Sequence, residues 1–233
     1  MISVLIVNYF CHSLTVRAVL SVLADDPSSQ VIVVDNSADS SEAGSLRHAL
    51  PPGVELVVAP INLGFGCACN QALEHATGEY ILLLNPDAFI LPGCLKQLLN
   101  TMQADLSIGA VSPVAQWDEA GDFLLPPGQM QTPAWEWMLA IGQRFSVFGN
   151  WLSKRFRAYA WSCLSATRPV RQRMLSAVHM LLRRSAIENA GGLFDRSFFM
   201  YYEDTDLCRR LAKSGFKLVL GPDSRGRKAR SAA

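Results

Sequence analysis

The sequence predicts an α/β fold in which helices cover both faces of a mostly parallel central sheet. Four continuous apolar runs of strand length, separated by segments with apolar residues at helical spacing, occupy residues 3–9, 30–37, 54–60 and 79–87. Strands buried on both faces are apolar throughout, and this alternation implies right-handed parallel crossovers. Half of the 233 residues are hydrophobic and 18% are charged, so a substantial core is expected and disorder is not.

The second half of the chain has a different character. Residues 111–133 are rich in Pro, Gly and Gln, which favours a loop. Residues 134–161 combine Trp and Phe with basic residues and predict a helical insertion. Such an insertion either lies on an anionic membrane or packs on the core as a lid, and the sequence favours neither. A strand over 176–184, a short helix over 185–191 and a helix over 204–214 complete the prediction.

Charge, cysteine usage and the N-terminus narrow the classes of function. The net charge of +1 argues against nucleic acid as a partner of the whole chain. The six cysteines lie in apolar or helical contexts without metal-ligand spacing, which indicates free thiols and a cytoplasmic setting. Residues 1–10 have no basic start and predict a first strand, and no apolar run is long enough to cross a bilayer.

Polar residues gather where the predicted strands end. The first strand ends in Asn8 and Tyr9, the second in Asp35, and the fourth is followed by Asn85 and Asp87. Each ending alone is typical of an ordinary turn. Because the carboxyl ends of parallel strands meet at one sheet edge, the repetition predicts a site for a polar ligand there.

Three acids follow directly after an aromatic run. Glu203, Asp204 and Asp206 come within four positions of each other, after the apolar residues 198–202. Acids at a helix start interact favourably with the macrodipole, which is one reading of the cluster. A catalytic base beside a metal is the other. The aromatic run fits a strand that would form a wall on the acceptor side.

In order along the chain, these segments resemble the GT-A nucleotide-sugar glycosyltransferases of family 2, and most closely the bacterial rhamnosyltransferase-like branch that builds cell-surface polysaccharide. The matching segments are VLIVNY, VIVVDNSADS, NLGFGCACNQAL, GEYILLLNPDAF, HMLLRRSAIENAGGLFD and FFMYYEDTDLCRRLAKSGF. The resemblance implies one GT-A (Rossmann-like) domain over 1–220, with a nucleotide-binding half over 1–110 and an acceptor-side half over 111–220. Residues 221–233 are basic and rich in small residues, which predicts a disordered tail.

On the nucleotide side, the resemblance implies a role for each polar residue at the sheet edge. Asn8 and Tyr9 would contact the base, and Asp35 would accept a hydrogen bond from the base or ribose. Gly64 would let the backbone approach the phosphates in front of a helix N-terminus. The implied nucleotide-binding set is Asn8, Tyr9, Asp35, Asn62, Gly64 and Asn70.

The resemblance also implies the chemistry of the site. Asp87 would be the protein ligand of a divalent cation, Mg²⁺ or Mn²⁺, that neutralises the diphosphate leaving group. Asp204 would take the proton of the acceptor hydroxyl in an inverting transfer, and Glu203 would contact the acceptor. Asp206 is predicted to be structural, because Arg210 follows it at i+4.

The implied reaction moves a sugar, with rhamnose favoured, from dTDP-rhamnose to a hydroxyl of a growing cell-surface polysaccharide or lipid-linked glycan at the cytoplasmic face of the inner membrane. The alternative is a shortened homologue that binds nucleotide sugar without turnover, because the family's downstream His is absent after His179. A nucleotidyltransferase or a dinucleotide oxidoreductase would need a Gly-rich loop after the first strand, and NYFCHSLTVRA contains none.

Overall fold

The computed structural model describes residues 1–116, 124–130 and 132–228, and it confirms an α/β fold with a central sheet flanked by helices. The strands among these residues are β1 Ile2–Asn8, β2 Gln30–Asp35, β3 Glu55–Val58, β4 Tyr80–Leu84, β5 Ala88–Ile90, β6 Ile108–Gln116, β7 Val170–Gln172, β8 His179–Arg183 and β9 Lys217–Lys228. The helices are α1 His12–Asp25, α2 Ser40–Ala49, α3 Phe65–His75, α4 Cys94–Ala104, α5 Pro133–Arg144, α6 Ser146–Leu164, α7 Arg184–Asn189 and α8 Glu203–Lys213.

The sheet is parallel in its first half and mixed in its second. Its strand order is β3-β2-β1-β4-β8-β6-β9-β5, and β7 pairs with β9. The first four strands of this order pair in parallel, as the apolar runs predict. β8 is antiparallel to both β4 and β6, because it starts at the edge where β4 ends, with His179 opposite Leu84. The mostly parallel pairing therefore holds only for the N-terminal half of the chain, which supplies β1–β4.

The core consists of two layers, one on each face of the sheet. Leu5 of β1 belongs to the layer that also contains Leu207 of α8. Its neighbour Val4 belongs to the opposite layer, which contains Val19 of α1. Successive side chains of a strand point to opposite faces, so a strand buried on both sides must be apolar at every position. This explains the uninterrupted apolar runs in the sequence.

The predicted loop over 111–133 and the predicted disordered tail over 221–233 both need correction. Residues 111–116 continue β6 and Pro133 already starts α5, while residues 117–123 and 131 lie outside the described residues. Residues 221–228 complete β9 and pair with β5, with Lys228 opposite Ala88. Strands pair through hydrogen bonds of their backbone, which do not depend on apolar side chains. The polar composition of residues 221–228 therefore did not exclude a strand. Residues 229–233 lie outside the described part of the chain.

The aromatic run over 198–202 is an exposed loop, so the prediction of a strand at this position is wrong. The side chain of Tyr201 is 70% exposed and that of Tyr202 is 49% exposed. Both residues have left-handed backbone, with φ of 68° and 66°. A strand requires φ near −120° or below, so these two residues end any extended segment. Tyr202 immediately precedes α8 and sets the direction in which that helix begins.

The helices α5 and α6 occupy the region of the predicted insertion. α5 has no buried residue, and Trp137 is among its exposed apolar side chains. α6 buries Leu152, Ala160 and Cys163, and Cys163 packs against Val114 and Leu220 at the sheet. None of the helices in the described part of the chain is both long enough and apolar enough to span a membrane.

Candidate active site

The predicted polar residues do meet at one sheet edge. Asn8 and Asp35 end adjacent parallel strands and are register partners. Both are fully buried, and the Asn8 side-chain amide donates to Asp35 Oδ1 over 3.0 Å. The same amide donates to Glu42 Oε1 of α2 over 3.1 Å. β4 ends beside β1, so Asn85 and Asp87 follow the third strand end at this edge.

Asp35 presents one free acceptor to the site. Its Oδ1 accepts from Asn8 and from the backbone N–H of Ser37, over 3.0 and 3.2 Å. Its Oδ2 is buried and has no hydrogen-bond partner among the described residues. A buried acceptor without a partner is costly, whereas one that receives an N–H or O–H from a ligand contributes to binding. Asp35 is therefore suited to accept from a base or a ribose.

Asn8 and Tyr9 have different relations to that acceptor. Asn8 Oδ1 accepts from Thr15 Oγ1 over 2.8 Å and from the Cys11 thiol over 3.5 Å. The polar atoms of Asn8 thus bond within the protein, and the residue fixes the orientation of Asp35. Tyr9 is 52% exposed at the rim, with its ring edge-on to that of Phe10. Its face is available for stacking on a planar ligand.

Asn62 shapes the turn that precedes α3. Its Oδ1 accepts from the Asn36 side-chain amide and from the Gly64 backbone N–H, both over 2.9 Å. Asn36 Oδ1 in turn accepts from the Leu63 backbone N–H over 2.8 Å. Asn36 is a site residue that the sequence reasoning missed. Its place directly after Asp35, in a polar strand ending, was the available signal.

Gly64 and Asn70 connect α3 to the loops that carry Phe194 and Phe199. Gly64 has φ of 79°, and a Cβ on it would lie 2.2 Å from the Phe199 carbonyl oxygen. The close backbone approach at Gly64 is thus to the 198–202 loop. Asn70 donates to the Phe194 carbonyl over 2.8 Å and accepts from the Phe194 N–H over 3.0 Å. Both polar groups of Asn70 are used within the fold.

Asp87 fits a divalent cation through a single oxygen. Its Oδ1 is buried without a hydrogen-bond partner among the described residues. Its Oδ2 lies 3.5 Å from the ammonium group of Lys228, a residue that the sequence reasoning missed. The described residues contain no cluster of three His, Cys, Asp or Glu side chains suited to a metal. One carboxylate completed by phosphate oxygens and waters is a usual donor set for Mg²⁺, so the residues present fit.

Asp204 and Glu203 begin α8 close to this edge. The Asp204 carboxylate accepts from the backbone N–H groups of Thr205 and Ala177, but burial has the larger effect and raises its pKa. Glu203 is only 8% exposed, and its Oε2 has no partner among the described residues. Burial, with a smaller effect from the Asp204 charge, raises the pKa of Glu203. A carboxylate with a raised pKa is a stronger base.

Asp206 is structural, as its spacing to Arg210 predicts. The Arg210 guanidinium donates to Asp206 Oδ2 over 2.6 Å. The same guanidinium donates to the carbonyls of Ala190, Gly192 and Leu193 over 3.1, 2.7 and 2.6 Å. Asp206 thereby fixes an arginine that holds the 190–193 turn against α8. The three acids thus separate by environment, since Glu203 and Asp204 are the two without a cationic partner in the described residues.

A cavity of about 260 Å³ adjoins residues that neighbour or contact the candidate base and the candidate metal ligand. Its lining includes Ser112, Ser176, His179 and Lys228. Ser176 adjoins Ala177, which donates to Asp204, and Lys228 pairs with Asp87. Burial lowers the pKa of His179 to about 4, so the imidazole that lines this cavity is neutral at pH 7.

The fold and the site define an α/β protein with buried polar side chains at the carboxyl ends of its parallel strands, the edge at which α/β enzymes bind their ligands. The model of glycosyl transferase family 2 matches residues 3–170. The chain therefore belongs to glycosyl transferase family 2 and is a glycosyltransferase enzyme. The predictions of the family and of the α/β fold are confirmed.

Two curated relatives refine this comparison. The chain is 30% identical over 221 residues to N-acetylglucosaminyl-diphospho-decaprenol L-rhamnosyltransferase of Mycobacterium tuberculosis, covering 89% of this chain and 68% of the relative. It is 29% identical over 91 residues to the putative glycosyltransferase EpsH of Bacillus subtilis, covering 39% of this chain and 26% of that relative. The first relative supports the rhamnosyltransferase-like branch.

Solved structures support the fold. The mannosyltransferase PcManGT from Pyrobaculum calidifontis, in complex with GDP-Man and Mn²⁺, superimposes with a TM-score of 0.66 at 20% identity over 97% of this chain. TarS 1–349 of S. aureus, in complex with UDP-GlcNAc, superimposes with a TM-score of 0.68 at 15% identity over 100% of this chain. The chain spans 56% and 59% of the length of these two solved chains.

Proposed function

We propose that the chain transfers a sugar from a nucleotide-diphosphate sugar to an acceptor hydroxyl with inversion at the anomeric carbon. The observation that carries the proposal is the position of Asp204, a base with a raised pKa, at the edge where Asp35 and Asp87 each present an unpartnered buried oxygen. Asp35 would bind the nucleoside, Asp87 would serve the diphosphate, and Asp204 would serve the acceptor. Asn8, Asn62 and Asn70 would position these groups through the contacts described above.

Asp204 supplies the proton transfer that an alcohol nucleophile needs. The acceptor O–H proton passes to the Asp204 carboxylate as the oxygen forms its bond to the anomeric carbon. The bond from that carbon to the phosphate oxygen breaks, and its electron pair leaves with the nucleoside diphosphate. A divalent cation held at Asp87 would neutralise the charge that develops on the leaving diphosphate. Glu203 would contact the acceptor beside the base.

The proposed donor is dTDP-rhamnose, and the proposed acceptor is a lipid-linked glycan at the cytoplasmic face of the inner membrane. The support is the name of the relative with 30% identity, an L-rhamnosyltransferase with a diphospho-decaprenol acceptor. Of the two solved neighbours, one holds GDP-Man with Mn²⁺ and the other holds UDP-GlcNAc. These ligands support a nucleotide-sugar donor and a divalent metal as a class.

The test is turnover of a panel of nucleotide sugars with Mg²⁺ or Mn²⁺, using an acceptor that carries N-acetylglucosamine on a lipid diphosphate. We expect rhamnose transfer from dTDP-rhamnose, with a loss of about 10²–10⁴-fold in kcat for Asp204→Asn. Donor binding should persist in that variant. The matched control is Glu188→Gln on the exposed side of α7, which should leave turnover unchanged.

The same experiment separates the proposal from its alternative. Metal-stimulated donor binding without turnover of any donor would favour a homologue that only binds nucleotide sugar. Absence of metal-stimulated binding for every nucleotide diphosphate would reject the proposal altogether. Asp35→Asn should weaken the binding of nucleoside diphosphate, because an amide nitrogen can stand where the unpartnered Oδ2 now accepts.

A further inference from the structure

A second cavity, of about 600 Å³, lies between β7 and the C-terminal half of α8. We call it the basic pocket. Its lining includes four cationic side chains together with apolar ones: Arg171, Arg173, Arg209, Lys213, Met130 and Phe216. No acidic residue lines it among the described residues. It shares no lining residue with the cavity beside Asp204.

Among the described residues, the cations of the basic pocket have no acidic partner, whereas Arg210 pairs with Asp206. Three arginines elsewhere in the fold donate hydrogen bonds from their guanidinium groups to backbone carbonyls: Arg183, Arg184 and Arg210. Within the described ranges, neither Arg173 nor Arg209 forms a hydrogen bond or a salt bridge with an acid. Unpaired like charges around one concavity repel each other, and an anion bound among them removes that repulsion.

The pocket has a fixed frame behind its charges. Gln172, which lies between Arg171 and Arg173, is buried and accepts from the Tyr159 hydroxyl over 2.7 Å. Gln172 also pairs with Leu218 in the β7–β9 ladder. Arg171 lies in β7 and Arg173 directly follows its end, and both side chains line the basic pocket. Arg209 and Lys213 are four residues apart on α8 and project from one side of that helix.

We propose that the basic pocket binds the diphosphate that links the acceptor glycan to its lipid, an inference that rests on the proposed function for the identity of the acceptor. Guanidinium groups bind phosphate oxygens in pairs, and several of them suit a diphosphate better than a single phosphate. The basic pocket lies next to the first cavity, because residues 126–128 line the first cavity and Met130 lines the basic pocket, while Leu220 and Leu218 of β9 line them in the same order.

The first experiment measures the affinity for pyrophosphate and for phosphate by calorimetry, in EDTA so that no metal supports the donor site. The variant is Arg173→Gln/Arg209→Gln, and both side chains are exposed, so thermal unfolding should show an unchanged fold. The control is Arg47→Gln/Lys96→Gln, which removes the same charge from exposed positions on α2 and α4. We expect tighter binding of pyrophosphate than of phosphate, a loss of at least about tenfold in the pocket variant, and none in the control. Equal affinities in both double variants would overturn the proposal.

The second experiment separates an acceptor diphosphate from a phospholipid headgroup. Co-sedimentation is measured with phosphatidylcholine vesicles, with and without phosphatidylglycerol. If the site serves the acceptor, the pocket variant sediments like the control, while its KM for the lipid-diphosphate acceptor rises and its KM for the donor does not. Loss of binding to the anionic vesicles without selectivity for pyrophosphate would overturn the proposal. An absence of turnover would reject the proposed function. The pyrophosphate measurement would still test whether the basic pocket binds a diphosphate.

Discussion

The ammonium group of Lys228 in β9 lies 3.5 Å from Oδ2 of Asp87, the residue proposed to hold the divalent cation. β9 brings Lys228 there because it pairs with β5, directly after Asp87 in the chain. The protein thus places a cation of its own beside the proposed metal ligand. Without nucleotide, Lys228 and a divalent cation would compete for the same carboxylate.

Replacing Lys228 by Gln should therefore tighten the binding of Mn²⁺ in the absence of nucleotide. The expected gain is up to about fivefold, since a partly exposed salt bridge contributes about 0–1 kcal/mol. Titration of free Mn²⁺ by electron paramagnetic resonance measures it. Lys96→Gln on α4 is the control for net charge. Unchanged or weaker Mn²⁺ binding in Lys228→Gln would show that Lys228 does not compete.

Gly64→Ala should disturb the 198–202 loop and lower both stability and turnover. An added Cβ would meet the Phe199 carbonyl oxygen at 2.2 Å and oppose the hydrogen bond from the Phe65 N–H to that oxygen. Gly53→Ala is a matched control, because Gly53 has φ of 88° and nothing lies within 4 Å of its added Cβ. Both variants place alanine at a positive φ, which costs about 1–3 kcal/mol, and only Gly64→Ala also has the clash.

Thermal unfolding and turnover of the two variants provide the measurement. We expect Gly64→Ala to have a clearly lower Tm than Gly53→Ala. Its turnover should also be lower than that of Gly53→Ala. Equal losses in the two variants would mean that the contact with Phe199 does not hold the loop.

The parts of the fold that follow from local patterns could be predicted from the sequence. The apolar runs predict the parallel strands, and their polar ends predict that Asn8 and Asp35 meet, since register in a parallel pair follows from buried strands of similar length. The pairing of Asp206 with Arg210 follows from helical spacing alone. These features depend on residues close in sequence or on a single regular pairing.

Contacts that join distant segments could not be predicted in this way. Asn70 bonds to Phe194 across 124 residues, and no local pattern connects the two positions. Lys228 reaches Asp87 only because a polar strand closes the sheet edge. The exposed loop at Tyr201 and Tyr202 resembles a buried strand in composition, and its left-handed backbone is set by the surrounding fold.

Arg210→Gln should lower the free energy of unfolding by about 2–3 kcal/mol, because it removes charged hydrogen bonds and leaves backbone carbonyls without their donor. Those carbonyls belong to Ala190, Gly192 and Leu193. The neighbouring Arg209→Gln is the control, since its side chain is exposed and donates to none of these carbonyls. Urea unfolding of both variants measures the difference. A cost for Arg210→Gln within about 0.5 kcal/mol of that for Arg209→Gln, the range of ordinary surface substitutions, would contradict the role given to Arg210.

Asp204→Asn should make the protein more stable at pH 7 while it lowers kcat by about 10²–10⁴-fold. Burial raises the pKa of Asp204 in the folded protein, so its charged form costs stability at neutral pH. The unfolded carboxyl titrates near pH 3.9, and below that pH both states are protonated and the cost disappears. Going down from pH 7, the Tm advantage of the variant should therefore shrink and vanish at about pH 3.9. For the same reason, the acid limb of kcat/KM in the unaltered chain should lie above pH 3.9, about the ordinary value for Asp.

Thermal unfolding across this pH range measures the Tm advantage of Asp204→Asn, with Glu188→Gln as the control that should show no such trend. A Tm at pH 7 equal to or lower than that of the unaltered chain would contradict a buried, destabilised carboxylate and would remove the electrostatic basis for Asp204 as the base.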